Sequence, residues 1–187
     1  MRNQTKTLWY FLCDLQQKIV SRVLLAKKLK QVENSTILSD SERTPYIKYV
    51  EKVIRNQDYF SKFRKNYEYR QILDHVSYKQ GLEYIEKINA YGEDPTIFSE
   101  FIQRTRSQGK PREFNYKEIG LVSPTSLRYL ATLVEIQYLF ELNHKPVMAE
   151  VGIGFGGQIS TFLEYLNPSE VCTYDLPQVQ ELAGRYL

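Results

Sequence analysis

Glycine is scarce in this chain, with nine in 187 residues, and there are only two cysteines, two histidines and one tryptophan. Cys13 and Cys172 stand far apart with no second pair, which excludes a disulfide scaffold and fits a thiol-bearing cytoplasmic protein. His75 and His144 lack HExxH or CxxC surroundings, so no metal site is visible. No apolar run approaches the roughly 20 residues that a membrane span requires. The short apolar stretch Leu8 to Cys13 is ended by Asp14 before a signal-peptide core could form. A formal charge of only +3 gives no electrostatic case for nucleic acid.

The composition that remains, 42% hydrophobic and 25% charged, is that of a globular protein with one large core or two small ones. No internal repeat or low-complexity tract occurs. The chain changes character near residue 115. Residues 1–115 read as a mostly helical region, because apolar residues recur at helical spacing in "VSRVLLAKKLKQV" and in "YKQGLEYIEKINAY", where Leu82, Ile85 and Ile88 share a face. Polar breaks at "ENSTILSDSERTP", "YGEDP" and "RSQGKPREFN" divide it into four or five helices.

The stretch "IKYVEKVIRNQDYFSKFRKNYEYR" interleaves basic and aromatic residues, a pattern that could stack bases and neutralise phosphates of single-stranded nucleic acid. The interspersed acids and small net charge favour a plainer reading, with aromatic positions facing a core and basic ones solvated.

Residues 116–187 read as the opening of a parallel α/β sheet. Ser123 and Pro124 suit an N-cap and first helical position, and a long helix runs from there to about Asn143. Pro146 opens a buried strand, Val147 to Val151. A helix follows in "GGQISTFLEYL" with Ile159, Phe162, Leu163 and Leu166 on its apolar side, stopped by Asn167 and Pro168. "EVCTYD" is a second strand and "LPQVQELAGRYL" a second helix. Strand, glycine turn, helix, strand and helix make the start of a Rossmann-like sheet.

Nearly half of the glycines fall in "AEVGIGFGGQ", between the first strand and its helix. A bare turn there lets a ligand approach the backbone at a helix N-terminus. The spacing Gly152, Gly154, Gly157 satisfies GxGxxG, which on its own leaves a dinucleotide and a nucleoside cofactor both open. Glu150 tips the balance. It projects to the same side as Met148, two residues before the first glycine, where a carboxylate would repel a pyrophosphate and attract a cation. S-adenosylmethionine carries an ammonium and a sulfonium and no phosphate, and Asp175, 23 positions beyond Gly152, is placed to accept hydrogen bonds from its ribose.

"EVGIGFGGQ", "SPTSLRYL" and "YDLPQVQELAGRYL" resemble the sugar O-methyltransferases of bacterial polysaccharide gene clusters, and "NYEYRQILDHVSYKQGLEYI" is similar to their helical N-terminal region. The resemblance covers about residues 60–187. It implies a methyltransferase that moves a methyl group from S-adenosylmethionine to a hydroxyl of a sugar or glycan acceptor. It assigns Glu150, Gly152, Gly154 and Gly156 to the cofactor motif and Asp175 to the ribose, and it departs at Ile153, where the family often has a further glycine.

Each assignment has a structural rival. Glu150 could pair with a lysine, and Asp175 with Gln178 forms a capping-box pattern. Gln158 could bind the donor's carboxylate or merely face solvent. Arg128 could pair with that carboxylate in bidentate fashion or be a surface arginine. No catalytic base is legible.

The resemblance further implies a seven-stranded sheet, of which two strands are present, so this chain is expected to be an N-terminal portion without activity of its own. Two strands leave an open edge and a bare face that call for the helical region, a partner chain or self-association. Three other functions remain: a non-catalytic adenosyl-binding module, a helical interaction protein with a vestigial turn, and an NAD-binding Rossmann protein.

Overall fold

The computed structural model describes residues 44–187, except for 141, 143 and 144. The apolar stretch Leu8 to Cys13, Cys13 itself, the helical reading over residues 20–32 and His144 lie outside the described residues. The described residues form one compact unit of mixed helix and sheet. Among the described residues no helix is long and apolar enough to cross a membrane.

The helical part begins with α1 (Thr44–Arg55), whose Tyr46, Tyr49, Val50 and Val53 recur at helical spacing and are buried. Asn56 ends it and caps the short α2 (Gln57–Phe60) by accepting the Asp58 N–H at 2.8 Å. A 3-10 turn at Phe63–Lys65 leads to α3 (Tyr67–Ile72), capped by Asn66. Next comes α4 (Tyr78–Ala90), opened by a capping box in which Ser77 and Gln80 satisfy each other's backbone N–H. A second 3-10 turn, Pro95–Phe98, runs into α5 (Ser99–Thr105).

A hairpin of β1 (Phe114–Tyr116) and β2 (Gly120–Val122) then pairs antiparallel, with Phe114 opposite Val122. The sequence reading missed it. Three-residue strands are too short to show alternation, and the turn depends on Gly120 at φ +79.

Ser123 caps α6 (Pro124–Leu139) through the Ser126 N–H, with Pro124 at the first position as the sequence suggests. The helix stops at Leu139 rather than near Asn143, because Phe140 turns to extended geometry, φ −129 and ψ 134. The parallel pair follows: β3 (Val147–Val151), α7 (Gly157–Leu166), β4 (Glu170–Tyr174) and α8 (Pro177–Tyr186), with Val147 opposite Glu170 and Val151 opposite Tyr174.

Two apolar cores hold the unit together. One gathers α4, α5, the hairpin, α6 and Phe162 of α7. The other gathers α1, Phe63, Tyr69 and Tyr129 around Ile153, Phe155, Ile159 and the inner side of α8. Residues on both sides of position 115 therefore share the same cores. Arg185 of α8 locks onto α1 by donating to the carbonyls of Val53 and Ile54 at its C-terminal end, while its guanidinium lies 4.3 Å from the Phe60 centroid.

The strand β3 is not buried as the sequence reading expected. Met148 packs against the first core and Val171 against the second, but Val147 is 70% exposed, Val151 84% and Tyr174 58%. A parallel sheet reads as a buried apolar run only when helices cover both faces, and here they cover one.

The basic and aromatic stretch follows the plainer reading for Tyr49, Phe63 and Tyr69, all of them buried. It departs from that reading at Tyr59 and Tyr67, which are 40% and 66% exposed, and at Arg64, which is 2% exposed rather than solvated.

Candidate functional site

The glycine turn alternates bare positions with anchors. Gly152, Gly154 and Gly156 adopt φ of +83, +58 and +89, where a side chain would cost about 1–2 kcal/mol each. Between them, Ile153 and Phe155 are 5% and 2% exposed and insert into the second core. Ile153, the departure from the family pattern, thus points into the helical region. Gly157 has ordinary helical geometry but no room: a Cβ there would lie 2.5 Å from the Phe155 ring and 2.7 Å from the Tyr129 ring.

The surroundings of the three bare positions differ. A Cβ at Gly154 would meet Leu73 at 3.3 Å and one at Gly156 would meet Leu187 at 3.1 Å, whereas one at Gly152 would meet nothing among the described residues. Gly152 is where the backbone stands open. Its N–H donates to the Tyr174 carbonyl at 2.7 Å, extending the β3–β4 ladder by one residue.

Glu150 sits beside this opening on the partly covered face of β3. Its Oε2 is buried and has no hydrogen-bond partner among the described residues. None of the ion pairs among the described residues includes Glu150, so its suggested lysine partner is not found there. Burial, with the Asp175 carboxylate adding to it, pushes the Glu150 carboxyl up to about 7.

Asp175 leaves the end of β4 and turns back to the loop. Its Oδ2 accepts the Gly154 N–H at 3.1 Å and its Oδ1 the Leu176 N–H at 2.7 Å. The capping box with Gln178 does not form. Leu176 takes the N-cap position of α8 with no side-chain cap, and the Asp175 oxygens bond instead to the Gly154 and Leu176 N–H groups. Each oxygen keeps a second acceptor direction for a ligand hydroxyl. From the helical region, Tyr46 faces the same carboxylate: burial raises its hydroxyl pKa, and Asp175 raises it further.

The remaining sequence-assigned residues lie at the periphery. Gln158 occupies the first turn of α7, half-buried. Arg128 is half-buried on α6, which packs against α7, and its guanidinium lies 5.3 Å from the Tyr129 centroid. The loop thus has Glu150, Asp175 and the bare Gly152 together, with Gln158 at the helix start and Arg128 beside Tyr129.

Sequence reasoning missed Arg64 and Asp74, whose paired charges are buried against Phe155 of the loop. No local signal marks Arg64, since its partners lie 10 and 59 positions away. Chemically, the arrangement offers two carboxylates beside an open backbone, suited to an ammonium group and to hydroxyl donors. Among the described residues nothing next to Glu150 is arranged as a nucleophile and its base. Comparison with protein-family models, with curated proteins and with solved structures gives no match.

Proposed function

We propose that this chain binds S-adenosylmethionine at the glycine loop and belongs to an O-methyltransferase acting on a sugar or glycan hydroxyl. The observation that carries the reading is the buried Oε2 of Glu150, unpartnered among the described residues, next to Gly152, which no described residue obstructs. A carboxylate without a cation partner in a partly dry site is costly, and a ligand ammonium relieves that cost where a pyrophosphate would add to it. The residues fit the cofactor in a second respect. Asp175 has acceptor capacity left for ribose hydroxyls while its backbone bonds hold it in place.

When bound, the cofactor would supply a sulfonium methyl group for transfer to an acceptor oxygen, with S-adenosylhomocysteine as the leaving group. The chain's own residues bind and orient. Glu150 meets the positive charge, Asp175 fixes the loop and faces the ribose, and the bare backbone at Gly152 permits close approach. The sugar acceptor and the Rossmann-like methyltransferase sheet rest on the sequence resemblance, with the parallel β3–α7–β4–α8 order in support.

Calorimetric titration of the full chain with S-adenosylhomocysteine and with NADH tests the reading. Saturable binding of the adenosyl ligand, weakened at least about tenfold by Glu150→Gln, is expected, with no heat from NADH. Binding of NADH in place of the adenosyl ligand would overturn it.

A further inference from the structure

Arg64 makes four directed contacts from a position that is 2% exposed. Its Nε and Nη2 donate to the two oxygens of Asp74 at 3.1 and 3.0 Å, a fork that fixes the plane of the guanidinium. Nη2 also donates to Ser123 Oγ at 3.1 Å, the same oxygen that caps α6. The central carbon of the group, Cζ, lies over the Phe155 ring, 4.6 Å from its centroid. The backbone of Arg64 is pinned as well, its N–H donating to the Gly109 carbonyl at 3.0 Å.

Phe155 is the anchor between Gly154 and Gly156, so whatever fixes its ring fixes both left-handed glycines. Phe63 and Tyr186 meet the ring edge-on at 5.6 and 4.9 Å, and the Arg64 guanidinium adds a charge over the ring to this enclosure. A buried ion pair kept only for stability gains little over apolar residues of similar size. A planar cation fastened at its edge and set over a ring does something that apolar packing does not, which is to hold that ring in place by a directed, charged contact.

We infer that Arg64 is a positioning residue for the glycine loop: through Phe155 it sets the backbone at Gly154 and Gly156 in the shape that receives the ligand. Its consequence for ligand binding rests on the adenosyl reading above, and its effect on the loop does not.

The test compares the wild-type chain with the double variant Arg64→Met/Asp74→Leu, which removes both buried charges together, and with Arg64→Lys, which keeps a charge beside Asp74 but loses the fork and the flat face. Amide hydrogen exchange is read at Gly154, whose N–H bonds to Asp175, and at Leu130 in α6 as a reference. Gly154 is expected to exchange at least about tenfold faster in both variants while Leu130 stays within about threefold. S-adenosylhomocysteine affinity is expected to fall at least about tenfold in parallel. Unchanged exchange at Gly154, or an equal rise at Gly154 and Leu130, would overturn the inference, the second because it reports global stability alone. If the double variant does not fold, Arg64→Lys decides by the same two amides. A wild-type chain that binds no adenosyl ligand removes the adenosyl reading and leaves the exchange comparison to decide the role of Arg64.

Discussion

The Asp175 carboxylate holds the loop that follows a different strand: it accepts the Gly154 N–H at 3.1 Å from the end of β4, while Gly154 follows β3. The two adjacent strand ends of the parallel pair are thereby tied by a charge-assisted bond as well as by their ladder. Gly154 has no side chain to anchor it and a left-handed φ that few residues tolerate, so this bond and the buried neighbours Ile153 and Phe155 define its position.

Replacing Asp175 with alanine removes the acceptors of two backbone N–H groups. Hydrogen bonds to charged groups contribute about 1.5–3 kcal/mol each, and part of that returns when water reaches the freed donors. The expected loss is about 2–4 kcal/mol in urea denaturation. Asp175→Asn keeps one acceptor and turns an N–H₂ toward the other donor, for an expected loss of about 1–3 kcal/mol. A loss below about 0.5 kcal/mol in both variants would show that the carboxylate does not hold the loop.

Gly152 and Gly157 answer differently to alanine, although both belong to the GxGxxG spacing. At Gly157 the added methyl meets the Phe155 and Tyr129 rings, so overpacking of about 1–3 kcal/mol is expected with ordinary backbone geometry. At Gly152 there is room but a φ of +83, giving strain of about 1–2 kcal/mol. The two separate in ligand binding. Gly152→Ala puts a methyl group where the backbone stands open and is expected to weaken S-adenosylhomocysteine binding beyond its effect on the melting temperature. Equal losses of affinity at matched stability would place the opening elsewhere.

The strand, glycine turn, helix, strand and helix order was legible because punctuation frames it. Pro146 precedes β3, the glycines follow it, Asn167 and Pro168 end α7, and Pro177 starts α8. The burial of β3 was not legible, since an apolar run looks the same whether one face or two are covered. The end of α6 was overshot because the apolar pattern continues through Phe140 while the backbone there becomes extended. Of the site, Glu150 and Asp175 could be picked out from their offsets to the glycines. Asp175's grip on Gly154 could not, because the same spacing also spells a capping box. Arg64 was hidden by its setting among solvated lysines and arginines, and only the fold brings Asp74 and Ser123 to it.

The bare face of the β3–β4 pair makes its own prediction. Val147, Val151 and Tyr174 project from one side of the sheet, and exposed apolar strands promote association. Val151→Lys replaces a side chain that is 84% exposed, so its expected effect on stability is within about 0.5 kcal/mol. Light scattering at increasing protein concentration should show less self-association than wild type. Equal scattering would mean that this face does not drive association.

The raised pKa of Glu150 links pH to stability and to ligand binding in opposite directions. With a folded value of about 7 against 4.5 for the free side chain, the folded protein keeps a proton that the unfolded chain releases between those two values. The folded state binds more protons there, so this group's contribution to stability falls as pH rises from about 4.5 to 7 and then levels off. Glu150→Gln should flatten that segment of the stability profile measured by urea denaturation. The ligand's ammonium group prefers the ionised form, so S-adenosylhomocysteine affinity should strengthen across the same range, with protons released on binding near pH 6.5. Calorimetry in two buffers of different ionisation enthalpy measures that release. Proton uptake instead of release, or a Glu150→Gln variant with the wild-type pH dependence, would show that the ligand does not meet this carboxylate.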